Sequence, residues 1–345
     1  MPTHQLLNTL YVTTERSYLR LDHETLRVEA EGEKLLQIPL HHLGAIVCFG
    51  DVMISPSLLG RCAEDGRCVV FLTSSGRFRC RMEGPVSGNV LLRRAQHQAL
   101  NEPARTAAIA RSIVAGKIQN CRQILMRGAR EATDDGEAGQ LRESAETMCR
   151  ILPRVAETTD LDVIRGFEGE AAHLYFQSLS LLVREDRASF GISKRVRRPP
   201  TDCLNALLSF LYSILLNDCV AAAEGVGLDP QVGFLHTLRS GRPGLGLDLM
   251  EELRAVLADR LALTLINRKQ LSARDFVERP GGAVHLDDDG RKELLIAYQK
   301  RKQDEVLHPV LRRTVPLGLV PHVQARLLAR HLRGDLDSYT PFLYR

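Results

Sequence analysis

A change of hydrophobic period constrains this chain more than any other feature. Up to about residue 82 the apolar residues fall in short runs that alternate or are rich in β-branched types: "NTLYVTT", "SYLRLD", "TLRVEAE", "KLLQIPL", "GAIVCFG", "CVVFLTS" and "RFRCRM". Turn residues such as Asp22-His23, Gly32 and Ser74-Ser75-Gly76 separate them. Such punctuated runs read as strands. One insert, "SPSLLGRCAEDG" at 55–66, reads as a helix with a Ser cap, Pro in its first turn and Gly66 at its end. From about residue 90 the spacing becomes three and four, as in "ARTAAIARSIVAGKIQNCRQILMRGAR", and nearly all that follows keeps it. That is the period of helices packed by one face. The prediction is an α+β chain: a small β-rich domain over 1–82, a linker at 83–90 carrying Gly84, Pro85 and Gly88, and a larger all-α domain over 91–345. A length of 345 residues suits about two domains.

No run reaches the roughly 18 uninterrupted apolar residues of a membrane span. The opening "MPTHQLLNTLYVTTERSYLR" has no basic start followed by an apolar core, so no signal peptide is expected and the cytoplasm is the predicted compartment. The eight cysteines include no C-x-x-C pair, which speaks against a zinc ribbon or a redox motif. Most lie in apolar runs and read as buried free thiols.

Two segments carry residues with chemistry. In "DLDVIRGFEGEAAHLYFQSLSLLV" (160–183) Glu168 stands between Gly166 and Gly169 in a helical pattern. Glycines there cost roughly 1 kcal/mol each against alanine. Close approach by backbone or ligand would justify them; a surface acid beside packing glycines is the alternative. In "GFLHTLRSGRPGLGLDLMEELR" (233–254) His236 precedes a glycine-rich loop, and Asp248, Glu251 and Glu252 follow it. Asp248 and Glu251 share a helix face at i, i+3. His236 alone suits a hydrogen-bonded core histidine, and an acid here suits a helix N-terminus. Neither alternative explains Glu168, His236 and Asp248 together. One histidine with two or three carboxylates suits Mg2+ or Mn2+ that keeps open positions for phosphate oxygens.

The net charge of +4 says little by itself, but its distribution says more. "SKRVRRPP" (193–200) gathers Lys194, Arg195, Arg197 and Arg198, and "RKELLIAYQKRKQ" (291–303) is a second basic segment. The first is either a solvated helix entry or a set of contacts to DNA phosphates. No G-x-x-x-x-G-K-[ST], G-x-G-x-x-G or H-E-x-x-H motif is present.

With these residues in place the chain resembles the CRISPR-associated adaptation integrase family, the universal endonuclease-integrase of spacer acquisition. The resemblance runs over essentially the whole chain. "GFEGEAAHLYF" (166–176), "GFLHTLRSGRPGLGLDLMEELR" and "RRPPTDCLNALLSFLYSILL" (197–216) carry it, and the last, with "DSYTPFLYR", resembles a branch found in one type I subtype. It implies a homodimer formed through the β-domains, two such dimers clamping a dimer of a small ferredoxin-like partner in a heterohexamer. It places the family's metal-binding acid on Glu168, its histidine on His236, its helix acid on Asp248 and a further acid, implicated in some members, on Glu251. The implied reaction inserts spacer DNA into a CRISPR array: a 3′-hydroxyl attacks a repeat phosphodiester, with Mg2+ or Mn2+ and without ATP. Double-stranded and branched DNA are the implied substrates. A non-catalytic DNA scaffold and an unrelated metal-dependent phosphoesterase are the rival classes.

Overall fold

The computed structural model describes residues 8–82, 84, 90–192 and 194–344. Apart from Gly84 and Val90, the predicted linker lies outside the described residues.

Among the described residues, eight strands build the first region: β1 (Asn8–Val12), β2 (Ser17–Asp22), β3 (Thr25–Ala30), β4 (Glu33–Pro39), β5 (Leu43–Phe49), β6 (Val52–Ile54), β7 (Cys68–Leu72) and β8 (Phe78–Met82). They form two four-stranded sheets, ordered β1-β5-β7-β8 and β4-β3-β2-β6. Helix α1 (Pro56–Glu64) interrupts them where the sequence predicts, with the Ser55 hydroxyl accepting from Leu58 N–H. Alternation along the strands decides what each face buries. Leu19, Leu26, Ile46, Cys48 and Val69 join α1 in a core between the sheets. Val47, Phe49, Val70 and Leu72 point the other way and join the core of the helices. There Phe49 stacks on Phe210, ring centroids 5.6 Å apart.

The helices are α2 (Val90–Leu100), α3 (Pro103–Glu131), α4 (Asp135–Glu157), α5 (Leu161–Leu179), α6 (Arg187–Phe190), α7 (Cys203–Gly225), α8 (Gly244–Glu251), α9 (Arg260–Asn267), α10 (Asp288–Gln303) and α11 (Val320–Leu332). A π-helical stretch, Arg254–Asp259, leads into α9. By length and composition α7 could cross a membrane, but 67% of its most apolar window is buried inside the protein. It is the central core helix, started by Asp202, whose carboxylate accepts from Asn205 N–H at 2.7 Å. Helices α8 and α11 pack on it; α8 also packs on α3, which runs alongside α5.

The helical region also holds two hairpins, β9 (Phe276–Arg279) with β10 (Ala283–Leu286) and β11 (Glu305–His308) with β12 (Arg313–Pro316). The sequence reading expected helix there. Strands of four residues with charges among them are too short to display a period.

Candidate metal centre

Residues from three helices and one loop meet at this centre. Helix α5 begins at Asp160, whose carboxylate accepts from Asp162 and Val163 N–H. Two turns on, Glu168 points towards α3, where its carboxylate pairs with Lys117. Among the described residues, an added Cβ at Gly166 or Gly169 would meet nothing within 4 Å. Packing against the described residues therefore does not explain these glycines. They leave the flank of Glu168 open to solvent.

The loop between His236 and Asp248 folds back by close approach of its glycines. A Cβ on Gly233 would stand 2.6 Å from the carbonyl carbon of Gly244 and 2.9 Å from Asp248 Oδ2. A Cβ on Gly244 would stand 2.9 Å from the Gln231 oxygen. With both side chains missing, the backbone of 234–236 wraps the Asp248 carboxylate. Asp248 Oδ2 accepts from Phe234 N–H (2.6 Å) and Leu235 N–H (3.0 Å). Its Oδ1 accepts from His236 N–H (3.0 Å) and lies 2.7 Å from His236 Nδ1. Arg165, one turn before Glu168, ties the same loop to α5 by donating to the Leu235 oxygen at 2.8 Å.

These contacts separate the predicted acids by role. Asp248 is fully buried and its two oxygens meet four donors. It holds the histidine with Nδ1–H directed at a carboxylate, which leaves Nε2 as the free lone pair. Asp248 was expected as a metal ligand; here its oxygens are taken up by the loop. Nε2 stands 3.8 Å from Glu251 Oε1. Glu251 is buried as well, with Lys117 Nζ 2.6 Å from its Oε2 and Arg254 Nη2 3.0 Å from its Oε1. Burial works against its charge, yet Arg254 and Lys117 outweigh that and hold Glu251 below the ordinary carboxylate range. For Lys117 too, burial is outweighed by Glu251 and Glu168, which raise its pKa. Neither acid of α8 lies in its first turn, so capping accounts for none of them.

Lys117 and Arg254 escaped the sequence reading. Lys117 had a signal: a lone cation on the buried stripe "IVAGKIQNC" needs acids inside the protein. Arg254 had only its i+3 spacing from Glu251. Among the described residues no three His, Cys, Asp or Glu groups stand close enough to hold an ion as they are placed. The physical reason is Lys117, whose ammonium stands between Glu168 and Glu251. The donors still suit a hard divalent ion: two carboxylates and an imidazole nitrogen oriented by a third acid.

The basic run divides. Arg195 is tied into the protein, donating to Asn205 Oδ1 (2.7 Å), the Val196 oxygen (2.7 Å) and Ser209 Oγ (2.9 Å). Its guanidinium lies over one side of the Tyr212 neighbourhood with Arg254, each within about 5.3 Å of the ring centroid. Lys194, Arg197 and Arg198 are exposed. A groove of about 330 Å³ is lined by Gly169, Ala172, His173, Phe176, Lys194 and Arg197 among others.

The sequence profile of CRISPR associated protein Cas1 matches residues 10–300. CRISPR-associated endonuclease Cas1 1 of Moorella thermoacetica is 63% identical over 342 residues, covering 99% of this chain and all of that protein. The chain belongs to the Cas1 family. Its fold is also that of part of a chain in a Cas6-RT-Cas1–Cas2 complex (TM-score 0.82, 24% identity, 97% of this chain and 36% of that one). A casposase bound to its integration product shares it too (TM-score 0.82, 19% identity, 97% of this chain and 93% of that one). Membership of an endonuclease family of this kind implies dependence on a divalent ion.

Proposed function

We propose that Glu168, His236 and Glu251 hold a Mg2+ or Mn2+ ion at which a DNA 3′-hydroxyl attacks a phosphodiester, joining spacer DNA to a CRISPR repeat. The activity class follows from the family: the chain is a CRISPR-associated endonuclease of spacer integration. The observation that supports this assignment of ligands is the His236 ring, held by Asp248 through Nδ1 so that Nε2 faces Glu251.

When bound, the ion polarises the phosphate and stabilises the charge that develops on it. The chain's own residues do the rest. Asp248 keeps the imidazole in one tautomer and orientation. Lys117 and Arg254 keep the buried Glu251 ionised. Exposed Lys194, Arg197 and Arg198 attract phosphates whatever the base sequence. Arg195, expected among them, shapes the loop that presents them. The open flank at Gly166 and Gly169 lets a strand approach Glu168. One phosphodiester replaces another, so no nucleotide is consumed. Water in place of the 3′-hydroxyl gives cleavage instead.

The proposed assembly starts from a homodimer through the 1–82 domain, with the helical region as the catalytic unit. Tyr18 and Met53, cross-strand partners on β2 and β6, expose large apolar side chains on one sheet face. Two dimers and a dimer of a small ferredoxin-like partner would form the heterohexamer, on prespacer and repeat DNA. The cytoplasm suits the eight free cysteines.

The test is strand joining on branched DNA with Mn2+. Wild type should join and cut strands, while Glu168→Ala, His236→Ala and Glu251→Gln should be folded and inactive. A wild-type protein that only shifts the DNA band would point to a scaffold instead.

A further inference from the structure

The segment that follows α11 returns across the molecule to the metal centre. Gly334, at φ +83°, turns the chain, and residues 335–344 then run over α3 and the end of α8. Its contacts there are specific. Tyr339 OH donates to Glu252 Oε1 at 2.5 Å, and Phe342 N–H donates to Glu252 Oε2 at 2.7 Å. Asn120 of α3 donates through Nδ2 to the oxygens of both Phe342 and Glu252, each at 2.8 Å. Its Oδ1 accepts from Tyr344 N–H at 2.8 Å. Tyr339 and Phe342 are buried.

A helical glycine marks the same crossing. A Cβ on Gly116 would stand 2.5 Å from Pro341 Cβ and 3.4 Å from Glu252 Cγ. Alanine would suit the interior of α3 better than glycine, but alanine does not fit under Pro341. Gly116 and Asn120 flank Lys117 on α3. Glu252 follows Glu251 and is the C-cap of α8. A helix end has carbonyls without intrahelical partners and little to fix its direction. Here Asn120 takes up the Glu252 oxygen, and the strap takes up the Glu252 side chain.

We propose that this strap is a positioning element of the metal centre. Tyr339, Pro341 and Phe342 press the end of α8 against α3, and so set Glu251 at its distance from Lys117 and His236. Neither Tyr339 nor Phe342 touches the ion; they act through Glu252 and Asn120. The inference rests on the metal centre proposed above.

Mn2+ affinity, measured by calorimetric titration of the folded protein without DNA, tests it. The variants are Tyr339→Phe, which removes one donor to Glu252, and Gly116→Ala, which displaces Pro341. Each should bind Mn2+ about tenfold more weakly than wild type. Strand joining should recover when Mn2+ is raised, so the metal requirement rises more than the maximal rate falls. A third protein, lacking residues 338–345, should regain affinity when the peptide SYTPFLYR is added in trans. Glu251→Gln separates the two claims. If wild type binds Mn2+ and Glu251→Gln does not, the centre stands. Unchanged Mn2+ affinity in Tyr339→Phe and Gly116→Ala, with only the melting temperature lowered, then overturns the strap as a positioning element. If wild type binds no Mn2+, the centre fails and the strap with it.

Discussion

Glu251 and Glu252 are neighbours in the chain and both are buried, yet the two sides of the helix end they occupy treat them oppositely. Glu251 faces Arg254, Lys117 and His236, and is held ionised below the ordinary range. Glu252 faces the strap. Burial pushes its pKa up to about 8, although Tyr339, Phe342 N–H and Gln324 donate hydrogen bonds that pull the other way. Its charge is therefore disfavoured where that of Glu251 is favoured. Full positive charges at close range offset the desolvation of a carboxylate; neutral donors, even three of them, do not. One side of α8 is built to keep charge, the other to anchor chain.

The largest expected effect is on chemistry. Glu251→Gln should lower strand joining by about a thousandfold or more, since each ~1.4 kcal/mol of lost stabilisation is a factor of ten. Glu252→Gln, in the same Mn2+ assay, should stay within a few-fold of wild type. Equal losses in the two variants would erase the distinction between the sides.

Lys117→Met attacks the charged side directly. It strips a cation from Glu168 and Glu251 together. Breaking a buried pair this way costs about 3–5 kcal/mol, which urea denaturation would detect. A loss near zero would mean that the acids are solvated and the contrast is not one of burial.

Asp248→Asn should act next in size. The amide cannot accept all four bonds, so His236 loses its fixed tautomer. Metal affinity should drop about 10–100-fold, the usual range for such supporting groups. The loss should be smaller than for Glu251→Gln. A loss as complete as that of Glu251→Gln would instead mark Asp248 as a direct ligand.

On the strap side Glu252→Gln is the mild change, because it keeps the shape and polarity of the group that the strap grips. Glu252→Gln keeps an acceptor oxygen for the strap and changes one hydrogen bond, so urea denaturation should show a change of about 1 kcal/mol. Smallest of all, and far from both acids, is the effect of Arg197→Ala or Arg198→Ala. Each should reduce the salt dependence of duplex binding by about 0.9 in logarithmic slope and leave the Mn2+ affinity of the free protein alone. Arg195→Ala should cost stability rather than slope, because its guanidinium is bonded to Asn205 and Ser209.

By itself the sequence determined the class of fold, because period two and period 3.6 bury different sets of residues and cannot be exchanged. It also determined which residues were worth watching: an acid between glycines, and a histidine and acids across a glycine-rich loop, need chemistry to justify their cost. Spacing could not say which acid does what. Asp248, Glu251 and Glu252 lie within one turn of chain, and three carboxylates at such positions are interchangeable on paper. Tertiary structure alone decided that the loop saturates Asp248, that Lys117 and Arg254 surround Glu251, and that the strap covers Glu252. Lys117 comes from a helix more than 130 residues earlier and Phe342 from a segment 90 residues later. A carboxylate's state depends on the charges and donors within a few ångströms of it, and those neighbours come from parts of the chain that sequence distance does not connect.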